Sequence, residues 1–136
     1  MIYRFEIRGN QENPKGNPIP YHRTTQRAKW KDPAARRYAA WKKFVQQHAL
    51  EAGLNIAKLK KNGDYRLDVT CFFVGEAHGD PGNIRKGVED SLFEIAGDKH
   101  VWGMVDFAHA SKADGYRYPS ILVHLDEGLQ IPSFRG

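Results

Sequence analysis

The sequence has one cysteine, Cys71, so no disulfide can form within the chain, and a reducing compartment is the simpler setting. It has no apolar run approaching the roughly 20 residues of a membrane-spanning helix. Its N-terminus lacks the apolar core of a signal peptide. Internal repeats and low-complexity tracts are missing as well. These absences speak against a disulfide-stapled scaffold, a helical membrane protein and a solenoid, and they set the expectation of a cytoplasmic protein with no membrane partner.

What is present describes one globular domain over 1–136, with 40% hydrophobic and 27% charged residues. A chain of this length can bury a core without staples. The net charge of +5 is unevenly divided: residues 1–63 carry 14 Lys/Arg against 4 Asp/Glu, and residues 64–136 carry 7 against 12. The halves are therefore +10 and −5. A basic half joined to an acidic half suits a nucleic-acid-binding scaffold with a carboxylate site, and equally a solvated basic helix beside an acidic one.

Residues 2–8 alternate, with Tyr3, Phe5 and Ile7 on one face, and read as a half-buried strand. Residues 9–33 have no clear periodicity and hold His22, Arg23, Arg27, Lys29 and Lys31 with Tyr21 and Trp30 between them. Such a loop either tracks a phosphate backbone or is a solvated connector. Asp32-Pro33 supplies an N-cap and a proline at the first helical position, and Tyr38, Trp41, Val45, Ala49 and Ala52 follow at helical spacing up to Gly53. This predicts a helix over 34–52 whose outer face offers Arg36, Arg37, Lys42 and Lys43, with His48 packed near the apolar stripe.

Residues 65–74 predict a second strand that carries Cys71 as an inert core thiol. A second helix is expected over 82–96, with Ile84, Val88, Leu92 and Ile95 buried. Residues 100–108 and 118–125 read as two further strands, with Trp102 and Phe107 as core residues in preference to dimer contacts and Asp114-Gly115 between the strands as a hairpin signal. No role attaches to His100, His109 or His124. The order β–loop–α–β–α–β–β predicts an α+β fold with two main helices on a mixed or antiparallel sheet.

The chemistry is concentrated in residues 78–101. Asp80 falls in the connection before the second helix, Asn83, Lys86 and Asp90 share one face of that helix, and Asp98 lies in the turn after it. Carboxylates can hold Mg²⁺ for phosphodiester hydrolysis, and an ammonium such as that of Lys86 can stabilise charge on phosphate. Read structurally instead, Asp80 caps the helix, Lys86 and Asp90 form an exposed pair, and Asp98 is a turn residue.

The run Asp80-Pro81-Gly82-Asn83-Ile84-Arg85-Lys86, then Glu89-Asp90-Ser91-Leu92 and Asp98-Lys99-His100-Val101, resembles the RusA family of Holliday junction resolvases, or crossover junction endodeoxyribonucleases. The specific match covers about 25 residues; length, element order and the basic N-terminal half agree more loosely. The resemblance implies a RusA-like fold and a homodimeric, Mg²⁺-dependent nuclease (Mn²⁺ being an alternative ion) that cuts four-way or otherwise branched DNA symmetrically. It implies Asp80 and Asp98 as metal ligands, Lys86 as the catalytic lysine, and Asn83 and Asp90 as supporting positions. Arg23, Arg27, Lys29, Lys31, Arg36 and Arg37 are the expected DNA contacts.

One departure matters. The second aspartate of the family pattern is Gly82 here. A replacement ligand would come from Glu76, His78 or Asp90, with Glu76 the first choice as a hard ligand in the same connection. Without one, the expectation becomes a junction-binding protein that does not cut. A small RNA-binding module is the third reading, and no RNP-type aromatic motif supports it.

Overall fold

The computed structural model describes residues 2–8, 33–74, 80–109 and 120–127. Within them the chain forms a small single-domain α+β fold, a mixed five-stranded sheet with two main helices. The elements are β1 (Ile2–Arg8), α1 (Pro33–Glu51), β2 (Tyr65–Phe73), α2 (Pro81–Leu92), β3 (Val101–Trp102), β4 (Val105–His109) and β5 (Ser120–Glu127), with a short 3-10 helix at Ile56–Lys58. No described helix is long and apolar enough to cross a membrane.

Strand β2 follows the pleat expected from its alternation. Tyr65, Leu67, Val69, Cys71 and Phe73 are buried and the residues between them only half-buried. Those five meet Phe5 and Ile7 of β1 and Ile121, Val123 and Leu125 of β5 on one face. The helices supply the other side of that core, Tyr38, Trp41, Val45 and Ala49 from α1 and Ile84, Val88 and Leu92 from α2. The fully buried Val, Leu, Ile and Phe side chains among them each contribute about 1.5–3 kcal/mol through the apolar area they remove from water.

The strand order is β1-β5-β2, with β3 and β4 both on the far edge of β2. The pairs β1–β5 and β5–β2 are antiparallel, whereas β2 pairs β3 and β4 in parallel through the α2 crossover. The Asp114-Gly115 hairpin expectation fails: β2 lies between β4 and β5, so the strands flanking that dipeptide never pair. The dipeptide itself lies outside the described residues.

Boundaries moved for physical reasons. Helix α2 ends at Leu92 instead of 96, and Gly97, at φ +90, turns the chain. Phe93 and Ala96 consequently enter the core, and Ile95, expected in the buried stripe, is 62% exposed. Helix α1 stops at Glu51, leaving Ala52 exposed beside Gly53 at φ +91. Strand β5 is described over Ser120–Glu127 and runs two residues past the expected end at 125, while its expected start at 118 lies outside the described residues.

The strand expected over 100–108 is split into β3 and β4. Both keep one register against β2, Arg66 opposite Trp102 and Val69 opposite Val105, which puts Leu67 opposite Gly103. A Cβ on Gly103 would stand 1.8 Å from the Leu67 carbonyl oxygen, so only glycine fits there. Phe107, expected in the core, is 56% exposed on this edge, and Trp102 is half-buried with the Arg66 guanidinium 4.9 Å above its ring.

Two measurements check this packing. Gly103→Ala is expected to lower stability in urea by more than about 2 kcal/mol, because the backbones must part to admit the methyl group. Burial pushes the Cys71 thiol from its ordinary value of 9.0 up to about 11. The native thiol should therefore resist a thiol reagent at neutral pH. Because the folded-state value is the higher one, this contribution to stability is present below pH 9.0 and is lost as pH rises to about 11.

Candidate metal and nucleic-acid site

Helix α2 places the site residues and divides them among different neighbours. Asp80 is its N-cap: Oδ1 accepts the backbone N–H of Gly82 at 2.7 Å and of Asn83 at 3.4 Å, with Pro81 in the first turn. This matches the structural reading of Asp80 and leaves the metal-ligand reading to experiment. Asn83 and Lys86 are exposed on the outer side of the helix, away from the Ile84/Val88/Leu92 stripe.

Asp90 shares the face of Asn83 and Lys86 in sequence, but α1 packs against it. Its Oδ2 accepts the Tyr38 hydroxyl at 2.7 Å and pairs with Lys42 Nζ at 3.3 Å. Lys42 also reaches Glu94 at 3.5 Å, and Gln46 donates to the Ser91 carbonyl at 2.9 Å. Asp90 therefore joins the two helices, and its reading as a replacement ligand is left to experiment.

Asp98 is exposed in the turn before β3, and the carboxylate it meets is that of Glu89. Burial pushes the Glu89 carboxyl above the usual carboxylate range; Arg85 opposes this, and Asp98 reinforces it through like charge and a hydrogen bond. Arg85 bridges the arrangement, with Nη1 at 3.3 Å from Glu89 Oε1 and Nε and Nη2 donating to the Leu67 carbonyl at 3.1 and 3.0 Å. Arg85 and Glu89 were not singled out as site residues in the sequence. Their i,i+4 spacing was the available signal.

About 13 Å of helix axis separates Asp80 from Glu89, nine residues later. Asp98 is thus brought to Glu89, at the opposite end of α2 from Asp80. Among the described residues, no group of three or more His, Cys, Asp or Glu side chains could hold a metal ion. The donor set fits Mg²⁺ in part: Glu89 and Asp98 offer hard oxygens side by side, and Mg²⁺ commonly takes one or two carboxylates and fills the rest with water.

Of the expected DNA contacts, Arg36 and Arg37 are exposed on α1. Arg23, Arg27, Lys29 and Lys31 lie outside the described residues, as do Glu76 and His78. His48 is half-buried, its Nδ1 2.9 Å from the Phe44 carbonyl and its ring edge-on to Phe44, in keeping with a packed histidine. No protein-family model matches the chain, and no curated protein matches it significantly.

Three variants separate structural from chemical roles. Asp80→Ala should cost about 1 kcal/mol of stability by removing the cap, whereas Asp80→Asn, a good N-cap without the charge, should stay near wild type. Asp90→Ala should cost about 1–2 kcal/mol by leaving Tyr38 and Lys42 without their shared acceptor. Urea denaturation of the three proteins reads all of these differences.

Proposed function

We propose that the chain is a Mg²⁺-dependent, structure-selective DNA endonuclease that resolves four-way junctions as a homodimer, with a RusA-like fold. The carrying observation is the order in which the resembling residues fall on one strand–helix–strand unit. Asp80 stands at the start of α2, Lys86 is exposed midway along it, and Asp98 lies against Glu89 in the turn that enters β3. Mn²⁺ is the alternative ion.

Asp98 with Glu89 would hold the cation, with Asp80 presented at the far end of the helix. When bound, the ion supplies an activated water and offsets negative charge on the phosphate. Lys86 provides a cation near the developing phosphate charge, and Asn83, three residues earlier on the same face, offers an amide to orient the backbone. Two-fold symmetry suits the substrate, because paired cuts on opposed strands need two related sites.

A second reading, junction binding without cleavage, has its own support in Gly82, which stands where the resembling pattern has an aspartate. A labelled synthetic four-way junction tests both readings. Under the nuclease reading, cleavage with Mg²⁺ or Mn²⁺ stops on chelation, and Asp80→Asn or Lys86→Ala lowers it by about 100-fold while junction binding remains measurable. A junction left intact throughout Mg²⁺ and Mn²⁺ titrations removes the nuclease reading and leaves the binding one. Gly82→Asp is informative in either case, since its Cβ would stand 3.1 Å from Asp80 Oδ1 and its carboxylate beside that of Asp80. Gain of cleavage identifies a degenerate native site.

A further inference from the structure

The contacts between the helices fix their relative direction. Tyr38 meets Asp90, Lys42 meets Asp90 and Glu94, and Gln46 meets Ser91 and Glu94. Partners advance in the same chain order on both sides, so α1 and α2 run parallel. Arg36 precedes Tyr38 by about 3 Å along α1, and Lys86 precedes Asp90 by about 6 Å along α2, which brings the two to nearly one level.

The helix period sorts the four cations of α1. Lys42 faces α2 and is engaged there with Asp90 and Glu94. Arg37 lies about 100° round the helix from Arg36, on the flank of Phe44 and His48 that turns away from α2. Arg36 and Lys43 are seven residues apart, two turns, and both are exposed on the line opposite the buried Val45 and Ala49. The first turn of α1 has no acidic residue, and Glu51 at its end is its only acid.

We propose that Arg36 and Lys43, with Lys86 near the level of Arg36 on α2, form a single cationic ridge that seats the phosphodiester backbone of one duplex arm of branched DNA. The ridge rests on the DNA-binding half of the function proposed above and does not depend on cleavage. It assigns the contact to two of the four cations of α1 and continues it onto the helix that carries Asp80 and Asp98. A merely solvated basic face would give no defined number of phosphate contacts. A ridge gives one.

The test is binding of a labelled four-way junction to the full chain in EDTA, measured from about 50 to 200 mM salt. Arg36→Gln and Lys43→Gln should each lower the slope of log K against log salt by about 0.9, and the double variant by about twice that. Lys60→Gln is the control, its ammonium being paired with Glu127 3.4 Å away at the end of the sheet. Unchanged thermal midpoints establish that the variants are folded. An unchanged slope in the double variant, or an equal fall in Lys60→Gln, overturns the ridge. If the wild type binds no junction DNA, the ridge and the proposed function fall together. If it binds but never cuts, only the catalytic half of that function falls, and the slopes alone decide the ridge.

Discussion

The Leu67 carbonyl is the point on which the crossover unit depends. In the β2 register it faces Gly103, and the backbones come close enough there that no Cβ is tolerated. The same oxygen accepts two N–H groups from Arg85, so α2 is tied to the middle of β2 by a charged donor. A bidentate guanidinium on a backbone carbonyl fixes the rotation of the helix as well as its distance. Once that rotation is set, Ile84 and Val88 face the core, Asp90 faces α1, and Glu89 faces the turn that carries Asp98.

The carboxylates around α2 consequently have different work, although they lie within 19 residues of one another. Asp80 satisfies amides that would otherwise have no partner at the helix start. Asp90 satisfies a phenol and an ammonium of α1. Glu89, half-buried and paired with Arg85, instead meets the exposed Asp98, whose like charge adds to the burial that raises the Glu89 carboxyl. A proton or a cation relieves that repulsion, and this is the physical reason to look for divalent-ion chemistry at this pair.

How much of this was legible in the sequence depended on whether one element or two set the outcome. Alternation in β2 and the stripes of α1 and α2 are single-element properties, and the buried residues fell where their periods put them, Cys71 included. Helix ends followed turn glycines more closely than the apolar period: Gly97 brought Phe93 and Ala96 inward and left Ile95 outside. Strand order was beyond local pattern, because a parallel neighbour reached through a helix and an antiparallel neighbour reached through a turn present the same alternation. Asp90 shows the same limit at the site. Its helix face is readable, but which helix lies against that face is not; likewise the i,i+4 spacing shows the Arg85 partner of Glu89 but not Asp98, which the fold supplies.

The division of charge along the chain changes meaning once the helices are placed. Part of the basic half is cancelled internally, since Lys42 lies between Asp90 and Glu94 and ties the cationic helix to the acidic one. That contact gives one of the basic half's cations a structural partner in the acidic half. It also leaves Arg36 and Lys43 outward, with no acid on their own helix before Glu51. Within α1 the exposed cations Arg36, Arg37 and Lys43 have no acid of the same helix before Glu51, whereas the carboxylates of α2 sit at its two ends and along the seam with α1. Under the proposed function, cations on one surface would hold a polyanion while a phosphate of the same strand meets the carboxylates on the adjoining one.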